Sequence, residues 1–254
     1  MNTKRDYIAV FDSGVGGISV LRELVKLMPR DRYLYFGDSA NAPYGSRTTQ
    51  EVKALTLRAA ERLMDRGLKA LVIACNTATA AAITELRSLY PDVIVVGIEP
   101  ALKVAADRFP GGRVGVLATP VTLREEKFAH QLDRFANMEV CPIPVPGLVE
   151  LVEAGRPAGE VEALLGPILT PYAQKLDTAV LGCTHYPFAS AVISKILGPE
   201  TVLLDGGPGT ARETRRRLEN AGLLWDGPGE VCIENSLNDP EILKRSRELL
   251  DAAH

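Results

Sequence analysis

The chain has 254 residues, of which 46% are hydrophobic, and its formal net charge is −3. This length suffices to bury a large apolar core without disulfide or metal cross-links, and it corresponds to one large domain or two modest ones. The slightly acidic balance argues against a nucleic-acid binder, and no apolar run approaches the roughly 18 residues of a membrane span. Because the opening residues lead into a strand-like segment and lack a secretory apolar region, we expect a cytoplasmic protein.

Short apolar runs alternate with longer amphipathic segments along the chain. Strand-like runs cover 7–11, 33–36, 70–74, 93–96, 114–118, 178–181 and 201–204, and helix-length stretches include 18–27, 49–66 and 77–89. Apolar strands separated by helices predict parallel sheets covered on both faces, which is an α/β fold. Near the end, the glycine-rich segment 206–209 precedes a helix predicted over 212–220. A last helix follows Asp239, with Pro240 at its first position.

A weak internal repeat suggests two related α/β lobes, each a doubly wound and mostly parallel sheet. Segment 8–13 resembles segment 114–119, displaced by 106 positions, and segment 71–77 resembles segment 179–185, with an offset of 108 between Cys75 and Cys183. We place the first lobe at 1–98, joined by a C-terminal return segment at 207–254, and the second lobe at 99–206. The two cysteines would then occupy equivalent strand ends, and the active site is expected in the cleft between the lobes.

Four cysteines and three histidines are present, without any Cys-x-x-Cys pair. Structural zinc sites usually show close ligand pairs, so we expect no metal, and in a reducing cytosol the thiols are expected to be free. A free cysteine is most often a small buried hydrophobe. Cys141 and Cys232 are interpreted in this way, because no polar pattern surrounds them.

The other two cysteines are each followed by hydrogen-bonding residues, in Cys75-Asn76-Thr77 and Cys183-Thr184-His185. A helix beginning near Thr77 would stabilise a thiolate at Cys75. His185 stands two residues beyond Cys183 and could exchange a proton with it or with a substrate. Two such cysteines at equivalent positions favour chemistry over core filling.

Polar and glycine-rich loops are expected at the same edges of the sheets. The turn 12–17 can offer backbone N–H groups to a small anion, although it is also consistent with a tight turn that needs glycine. It does not match the dinucleotide fingerprint, because Ser19 stands at the third glycine position. In loop 37–45 the turn formers are ordinary, but Tyr44 beside Gly45 could cover a polar pocket.

Three charged segments contain further polar side chains that could take part in a site. Segment 146–155 offers Glu150 and Glu153 as a carboxylate near the second thiol, and spacing does not decide between them. His130 lies in a helix-like charged segment and is expected to be solvated. The arginine run 215–217 stands next to glutamates and is expected to be a solvated helix face.

Two cysteines across a cleft suit inversion of a tetrahedral carbon. A thiolate on one side removes a proton, a thiol on the other side returns one, and their roles exchange for the reverse direction. The carbanion between them needs preorganised donors, which turn 12–17 could supply together with Asn76, Thr77 and Thr184. Pyridoxal phosphate is not implied, because no strand-end lysine accompanies a phosphate site.

The ordered motifs resemble the glutamate racemases of the cofactor-independent aspartate/glutamate racemase family, over nearly the whole chain. The segments that carry the resemblance are 11–17, 35–38 with 43–45, 75–79 and 181–187. Aspartate racemases of the superfamily tend to have an acidic residue where His185 stands, which favours glutamate. The resemblance implies a cofactor-independent racemase, usually a homodimer, that supplies D-glutamate for bacterial peptidoglycan.

The resemblance also implies roles for individual residues. Cys75 and Cys183 would be the two acid/base residues, with Asp12 assisting the first and His185 and Glu153 assisting the second. The end of the family's segment selects Glu153 over Glu150. Substrate contacts are implied for Asp12, Ser13, Tyr44, Gly45, Asn76, Thr77, Thr184 and His185.

Three rival functions remain open from the residues. The nearest is a racemase for aspartate or another small acidic amino acid, acting through the same two thiols. A second is a hydrolase or amidase built on Cys183 and His185, which would tolerate loss of Cys75. A third is a two-lobed anion-binding protein that never exchanges the α-proton of glutamate.

Overall fold

The computed structural model describes residues 6–98, 101–124, 135 and 138–252. The strands are β1 (Tyr7–Asp12), β2 (Arg32–Gly37), β3 (Leu68–Ile73), β4 (Ile94–Gly97), β5 (Arg113–Ala118), β6 (Glu139–Pro144), β7 (Thr178–Leu181), β8 (Val202–Leu204) and β9 (Glu230–Asn235). The helices are α1 (Ile18–Leu27), α2 (Thr49–Met64), α3 (Asn76–Leu89), α4 (Ala101–Arg108), α5 (Pro120–Arg124), α6 (Leu148–Glu153), α7 (Ala158–Leu169), α8 (Ser190–Leu197), α9 (Gly207–Asn220) and α10 (Pro240–Asp251). The predicted α/β class, with parallel sheets, is confirmed.

The described chain divides into two compact units. The first unit holds the residues up to 98 together with those from 207 onward, and its strands are ordered β4-β3-β1-β2-β9. The second unit holds residues 101–206, and its strands are ordered β6-β5-β7-β8. Every strand pair in both sheets is parallel. All carboxyl ends of the strands in a sheet therefore lie at one edge, where parallel α/β sheets present their functional loops.

Helices bury the central strands of the first unit on both faces. β3 is buried at all six positions, as expected for a strand covered on two sides. One face packs against α2 and α3 in an apolar core that includes Phe11, Leu71 and Ile73. On α1, which contacts α9 and α10, the buried residues include Ile18, Leu21 and Leu24. Burial of these apolar stripes holds the helices, and thereby the loops that precede them, in fixed positions.

A buried ion pair lies at the opposite edge of this sheet, where the strands begin. Lys69 contacts Asp31 with both side chains at most 3% exposed, and Lys69 Nζ also donates to the carbonyl of Leu223 over 2.9 Å. A buried charge pair of this kind depends on both partners, because either charge left alone would be desolvated without compensation. The pair ties the segment between α9 and β9 to the start of β3.

Two edge strands were missed by the sequence prediction. β6 contains two prolines and only one buried residue, and β9 is half-exposed. Edge strands tolerate proline and solvent on one side, so neither segment shows the apolar run that identified the central strands. β9 pairs with β2 along its whole length.

Each helix predicted within the described residues is present, with one clear correction at a boundary. The helix predicted over 212–220 begins already at Gly207, with Pro208 in its first turn. Proline is compatible with the first turn because the N–H that it lacks has no helical partner there. The last helix has Asp239 as N-cap and Pro240 at its first position, as predicted.

The arginine run on α9 is paired with glutamates of the same helix. Arg216 and Arg217 both bind Glu213, and Arg215 binds Glu219 at 2.7 Å. The bonds from Arg216 and Arg217 lower the pKa of Glu213 to about 2. This exposed network is consistent with a solvated helix face. No helix in the described part of the chain is long and apolar enough to span a membrane.

Candidate active site

Cys75 and Cys183 stand at equivalent strand ends. Cys75 lies two residues after Ile73, the last residue of β3, and Cys183 lies two residues after Leu181, the last residue of β7. Ile73 pairs with Phe11 of β1, and Leu181 pairs with Leu117 of β5. The parallel ladder continues for one residue beyond each strand, with N–H groups donating to the carbonyls of Phe11 and Leu117 over 2.8 Å. The two thiols therefore leave their sheets in the same register.

The thiol of Cys75 lies at the first turn of a long helix. Cys75 is the N-cap of α3, and its Sγ accepts a hydrogen bond from the N–H of Ala78 at 3.4 Å. Its Sγ also lies 3.7 Å from Ser13 Oγ, and the side chain is buried. Helix N-termini stabilise negative charge through their backbone N–H groups and the helix dipole. Asn76 and Thr77, the next two residues, are partly buried in the same turn.

Asp12 ends β1 and is fully buried beside the glycine-rich turn. Its Oδ1 accepts from the N–H of Gly14 at 3.0 Å, which makes the carboxylate part of the turn itself. A Cβ at Gly17 would lie 2.5 Å from Asp12 Cβ and 3.1 Å from Ala74 Cβ. Glycine is thus required at this position, because the turn passes directly over the ends of β1 and β3.

Tyr44 lies in a 3-10 turn that contacts α3, and its ring packs against Phe11. The Tyr44 hydroxyl donates to Asp38 Oδ2 at 2.7 Å. Burial raises the pKa of Tyr44, and the bond to Asp38 and the nearby Cys75 and Asp12 raise it further, so the phenol stays protonated. Asp38 is itself buried and accepts two bonds from Asn41 Nδ2 at 3.0 Å. Gly45 follows Tyr44 in the turn and is partly buried.

In the second unit, Cys183, His185 and Glu153 form a line of hydrogen-bonding groups. Cys183 Sγ lies 3.6 Å from His185 Nδ1, and His185 Nε2 lies 2.7 Å from Glu153 Oε1. His185 is buried, whereas the Glu153 side chain is 31% exposed. An ionised carboxylate accepts the Nε2 proton, which leaves Nδ1 of the neutral imidazole as the acceptor that faces the thiol. This arrangement can move a proton to and from Cys183.

Backbone packing holds Cys183 and its neighbours in place. A Cβ at Gly182 would lie 2.9 Å from the carbonyl of Leu117, so glycine allows the chain to pass close to β5. Thr184 is buried next to the thiol. Tyr186 is fully buried and donates to the carbonyl of Val145 at 3.0 Å. That bond joins the turn after Cys183 to the segment before α6, which carries Glu153.

The predicted residues thus fall into two clusters, one in each unit. The Cys75 cluster consists of Asp12, Ser13, Tyr44, Gly45, Cys75, Asn76 and Thr77. The Cys183 cluster consists of Glu153, Cys183, Thr184 and His185. Glu153 meets His185 through the 2.7 Å contact to Nε2, whereas the side chain of Glu150 is exposed. Asp38 belongs to a motif that carries the family resemblance, but no regular spacing in the sequence indicates its hydrogen bond with Tyr44, six residues away.

Cys232 and Cys141 lie outside the two clusters, and their surroundings differ from those expected from the sequence. Cys232 has polar surroundings, contrary to the sequence interpretation: its Sγ donates to Glu230 Oε1 at 3.5 Å, and burial raises its pKa. The interaction arises because both side chains point to the same face of β9, two residues apart. Cys141 is likewise only partly buried, which differs from the expected buried hydrophobe because β6 is an edge strand with one side open to solvent. His130 lies outside the described residues.

No group of three or more histidine, cysteine, aspartate or glutamate side chains among the described residues is placed to hold a metal ion.

Comparison with known proteins assigns the family. The sequence profile of the Asp/Glu/Hydantoin racemase family matches residues 10–214, which include both cysteine clusters. The chain belongs to this family. Its racemase relatives include the glutamate racemase of Clostridium perfringens, which is 47% identical over 249 residues, 96% of each chain.

Solved racemase structures share the fold over nearly the full length. Glutamate racemase from Thermus thermophilus, in complex with beta-chloro-D-alanine, is 36% identical with a TM-score of 0.82 and covers 98% of this chain and 94% of its own. Glutamate racemase from Francisella tularensis, in complex with D-glutamate, is 28% identical with a TM-score of 0.84, again covering 98% and 94%. The racemase fold thus extends over both units of the chain.

Proposed function

We propose that this protein is a cofactor-independent glutamate racemase that interconverts L- and D-glutamate. The observation that carries the proposal is the matched position of Cys75 and Cys183, each two residues beyond a central parallel strand and each beside proton-handling or charge-stabilising groups. Membership in the racemase family and the 47% identity to a glutamate racemase support the same substrate. An aspartate racemase remains the nearest alternative.

In this mechanism the two thiols act on opposite faces of the α-carbon. One cysteine, as thiolate, removes the α-proton and becomes a thiol, and the electron pair of the broken C–H bond stays on the substrate as a carbanion. The other cysteine, as thiol, gives its proton to the opposite face and becomes a thiolate. The reverse reaction uses the same two groups with their protonation states exchanged.

Each thiol has its own support for this task. At Cys75, the Ala78 N–H and the start of α3 stabilise a thiolate, and Asp12 lies in the adjoining turn as the assisting carboxylate. At Cys183, His185 accepts or returns the thiol proton while Glu153 stabilises the imidazolium that forms. These different supports fit two bases that serve different faces of the substrate.

Substrate contacts are proposed for polar groups around the two thiols. The positive end of α3 and the N–H groups of turn 12–17 suit the α-carboxylate, whose negative charge increases as the carbanion forms. The protonated Tyr44 hydroxyl is held toward Asp38 and would cover the pocket with Gly45. The proposed contact set is Asp12, Ser13, Tyr44, Gly45, Asn76, Thr77, Thr184 and His185.

The cellular setting belongs to the same proposal. We place the enzyme in the cytoplasm as a homodimer that supplies D-glutamate for peptidoglycan. The reaction needs no cofactor or metal, because both proton transfers are carried by side chains of the chain itself.

The deciding experiment is incubation with L-glutamate in deuterium oxide, without added cofactor, while optical rotation and α-proton exchange are recorded. We expect rotation to fall to zero with one deuterium incorporated per inverted molecule. Aspartate in the same assay should react at least a hundred-fold more slowly. If aspartate reacts faster than glutamate, the protein is an aspartate racemase. If glutamate binds but its α-proton does not exchange, the protein is a binding protein.

The two cysteines are tested with Cys75→Ala and Cys183→Ala. Each substitution should reduce racemisation at least a thousand-fold in both directions, because each removes the base or acid for one face. Cys141→Ala is the matched control, since it removes a thiol on β6 outside both clusters. Racemase activity retained in either single variant would contradict the two-base mechanism.

A second candidate function rests on the line of Cys183, His185 and Glu153. A thiol next to a histidine that is oriented by a carboxylate is also the arrangement of cysteine hydrolases. That function would survive Cys75→Ala and would release ammonia or an acid from an amide or ester. Hydrolysis of glutamine or glutamyl esters by Cys75→Ala at the wild-type rate would favour it over the racemase.

A further inference from the structure

Tyr35 on β2 is a fully buried tyrosine whose hydroxyl reaches the turn next to Cys75. The Tyr35 Oη donates to the carbonyl of Gly14 at 2.6 Å. Gly14 lies between Ser13 and the start of α1, in the turn that follows β1. A hydroxyl buried this deeply requires a partner, and the turn's carbonyl is one.

Gly37, two residues after Tyr35 on β2, packs closely against the same carbonyl. A Cβ at Gly37 would lie 2.4 Å from the oxygen of Gly14 and 3.0 Å from Asn235 Nδ2. The carbonyl of Gly14 thus lies over the carboxyl end of β2, where only glycine leaves space for it. Tyr35 thus binds the carbonyl of Gly14, and Gly37 leaves the space that this carbonyl occupies.

The peptide groups of Gly14 are fixed from two sides. Its N–H donates to Asp12 Oδ1 at 3.0 Å, and its carbonyl accepts from Tyr35 at 2.6 Å. Ser13, immediately before it, has its Oγ 3.7 Å from the Cys75 thiol. The position of the Ser13 side chain relative to Cys75 therefore depends on a hydrogen bond from a residue that lies beneath the turn.

We infer that Tyr35 is a positioning residue for the Cys75 cluster: its hydroxyl holds turn 12–17 so that Ser13 stays against the Cys75 thiol. The inference rests on the proposed racemase function for its kinetic consequence. Tyr35 touches neither reacting atoms nor substrate in this role, because its hydroxyl is directed at the backbone of the turn. Its contribution is to keep the turn preorganised before substrate arrives.

Tyr33 on the same strand provides a matched control. It is also fully buried, two residues away on the same face, and its hydroxyl shares one hydrogen between the carbonyl oxygens of Leu24 and Met28, at 2.9 and 2.8 Å. Those carbonyls lie at the end of α1, whereas the turn carrying Ser13 lies before its start. The single hydroxyl hydrogen of Tyr33 is shared between these two carbonyls, so Tyr33→Phe and Tyr35→Phe each remove one buried donor, and a general loss of stability should be similar in the two variants.

The kinetic test compares the two phenylalanine variants with the wild type. Loss of a buried hydrogen bond that aligns the turn should lower kcat/KM for glutamate by about tenfold in Tyr35→Phe, chiefly through a higher KM. Tyr33→Phe should stay within twofold of the wild type. In a Ser13→Ala background, Tyr35→Phe should have less than a threefold further effect, because both changes act on the same contact. Full additivity, or equal kinetics in Tyr35→Phe and wild type, would overturn the inference.

A second readout does not depend on racemase activity. Alkylation of each cysteine by iodoacetamide, followed by mass spectrometry, reports how the turn covers the Cys75 thiol, which is only 6% exposed. Tyr35→Phe should accelerate alkylation of Cys75 at least threefold and leave Cys183 unchanged, and Tyr33→Phe should change neither. An unchanged Cys75 rate would refute the positioning role even if the wild type racemises glutamate. A changed rate in a protein without racemase activity would refute only the proposed function.

Gly37→Ala keeps the inference testable if Tyr35→Phe does not fold. It leaves the Tyr35 hydroxyl in place but pushes a methyl group against the carbonyl of Gly14. The same rise in KM and in the Cys75 alkylation rate is expected. Wild-type values of both quantities in Gly37→Ala would contradict the inference.

Discussion

Replacing Glu153 by glutamine removes one negative charge from the Cys183 cluster and leaves its shape almost unchanged. Glu153 Oε1 lies 2.7 Å from His185 Nε2, so the carboxylate stabilises the imidazolium that forms when His185 takes a proton from Cys183. A glutamine oxygen can still accept the Nε2 proton, but it carries no charge. The substitution therefore isolates the electrostatic part of the interaction.

The magnitude follows from the strength of a hydrogen bond to a charged group, about 1.5–3 kcal/mol. The side chain of Glu153 is 31% exposed, and solvent screens part of its charge, so the lower end of this range applies. A loss of about 1.5 kcal/mol in the transition state corresponds to about a tenfold lower kcat. KM should change little, because the charge acts on the thiol and imidazole rather than on bound substrate.

The assay is racemisation of L- and D-glutamate followed by circular dichroism, with Glu150→Gln as the matched control. Glu150 lies on the same short helix and is exposed, so its replacement should change kcat by less than twofold. A larger effect from Glu150→Gln than from Glu153→Gln would show that the wrong carboxylate had been assigned. If both variants keep the kcat of the wild type, His185 works without a charged partner.

Three further predictions concern stability and the turn. Lys69→Met leaves Asp31 buried without its partner and should lower the free energy of unfolding in urea by about 3 kcal/mol or more, and the double variant Lys69→Met/Asp31→Leu should regain most of it. Gly17→Ala, measured by thermal unfolding and kinetics, should destabilise by about 1–3 kcal/mol and lower kcat/KM, whereas Gly159→Ala in a helix with open space around it should stabilise slightly. Because the pKa of Glu213 is lowered from 4.5 to about 2, its stabilisation is present above pH 4.5 and is lost as the pH falls through 2, so Glu213→Gln should cost about 1 kcal/mol in urea unfolding at pH 7 and progressively less as the pH is lowered from 4.5 toward 2.

The central strands and the two thiol positions were predictable from local patterns. The predicted 178–181 strand matches β7, and the predicted 18–27 helix matches α1. Such segments carry their own signal, because a strand buried on both faces needs a continuous apolar run and an amphipathic helix needs a period near 3.6. The offset between Cys75 and Cys183 is likewise a property of the chain alone.

Edge strands and helix starts were less predictable. β6 and β9 lie at the ends of their sheets, where one side of a strand needs no apolar cover. Their pairing is decided by the backbone of the neighbouring strand rather than by their own residues. Gly207 begins a helix although glycine is a poor helix former, because burial of α9 against α1 compensates for its low propensity.

By itself the sequence determined the α/β class, the register of the two cysteines and the resemblance to the racemases, because each depends on residue types at short and fixed spacing. The resemblance selects Glu153 over Glu150, but only the tertiary structure placed Glu153 against His185, a contact across 32 residues, and decided which groups lie under the turn beside Cys75. Such contacts depend on how helices and strands pack, and packing positions side chains that have no regular spacing in the chain. Glu153 and Tyr35 acquire their neighbours only once the sheets have formed.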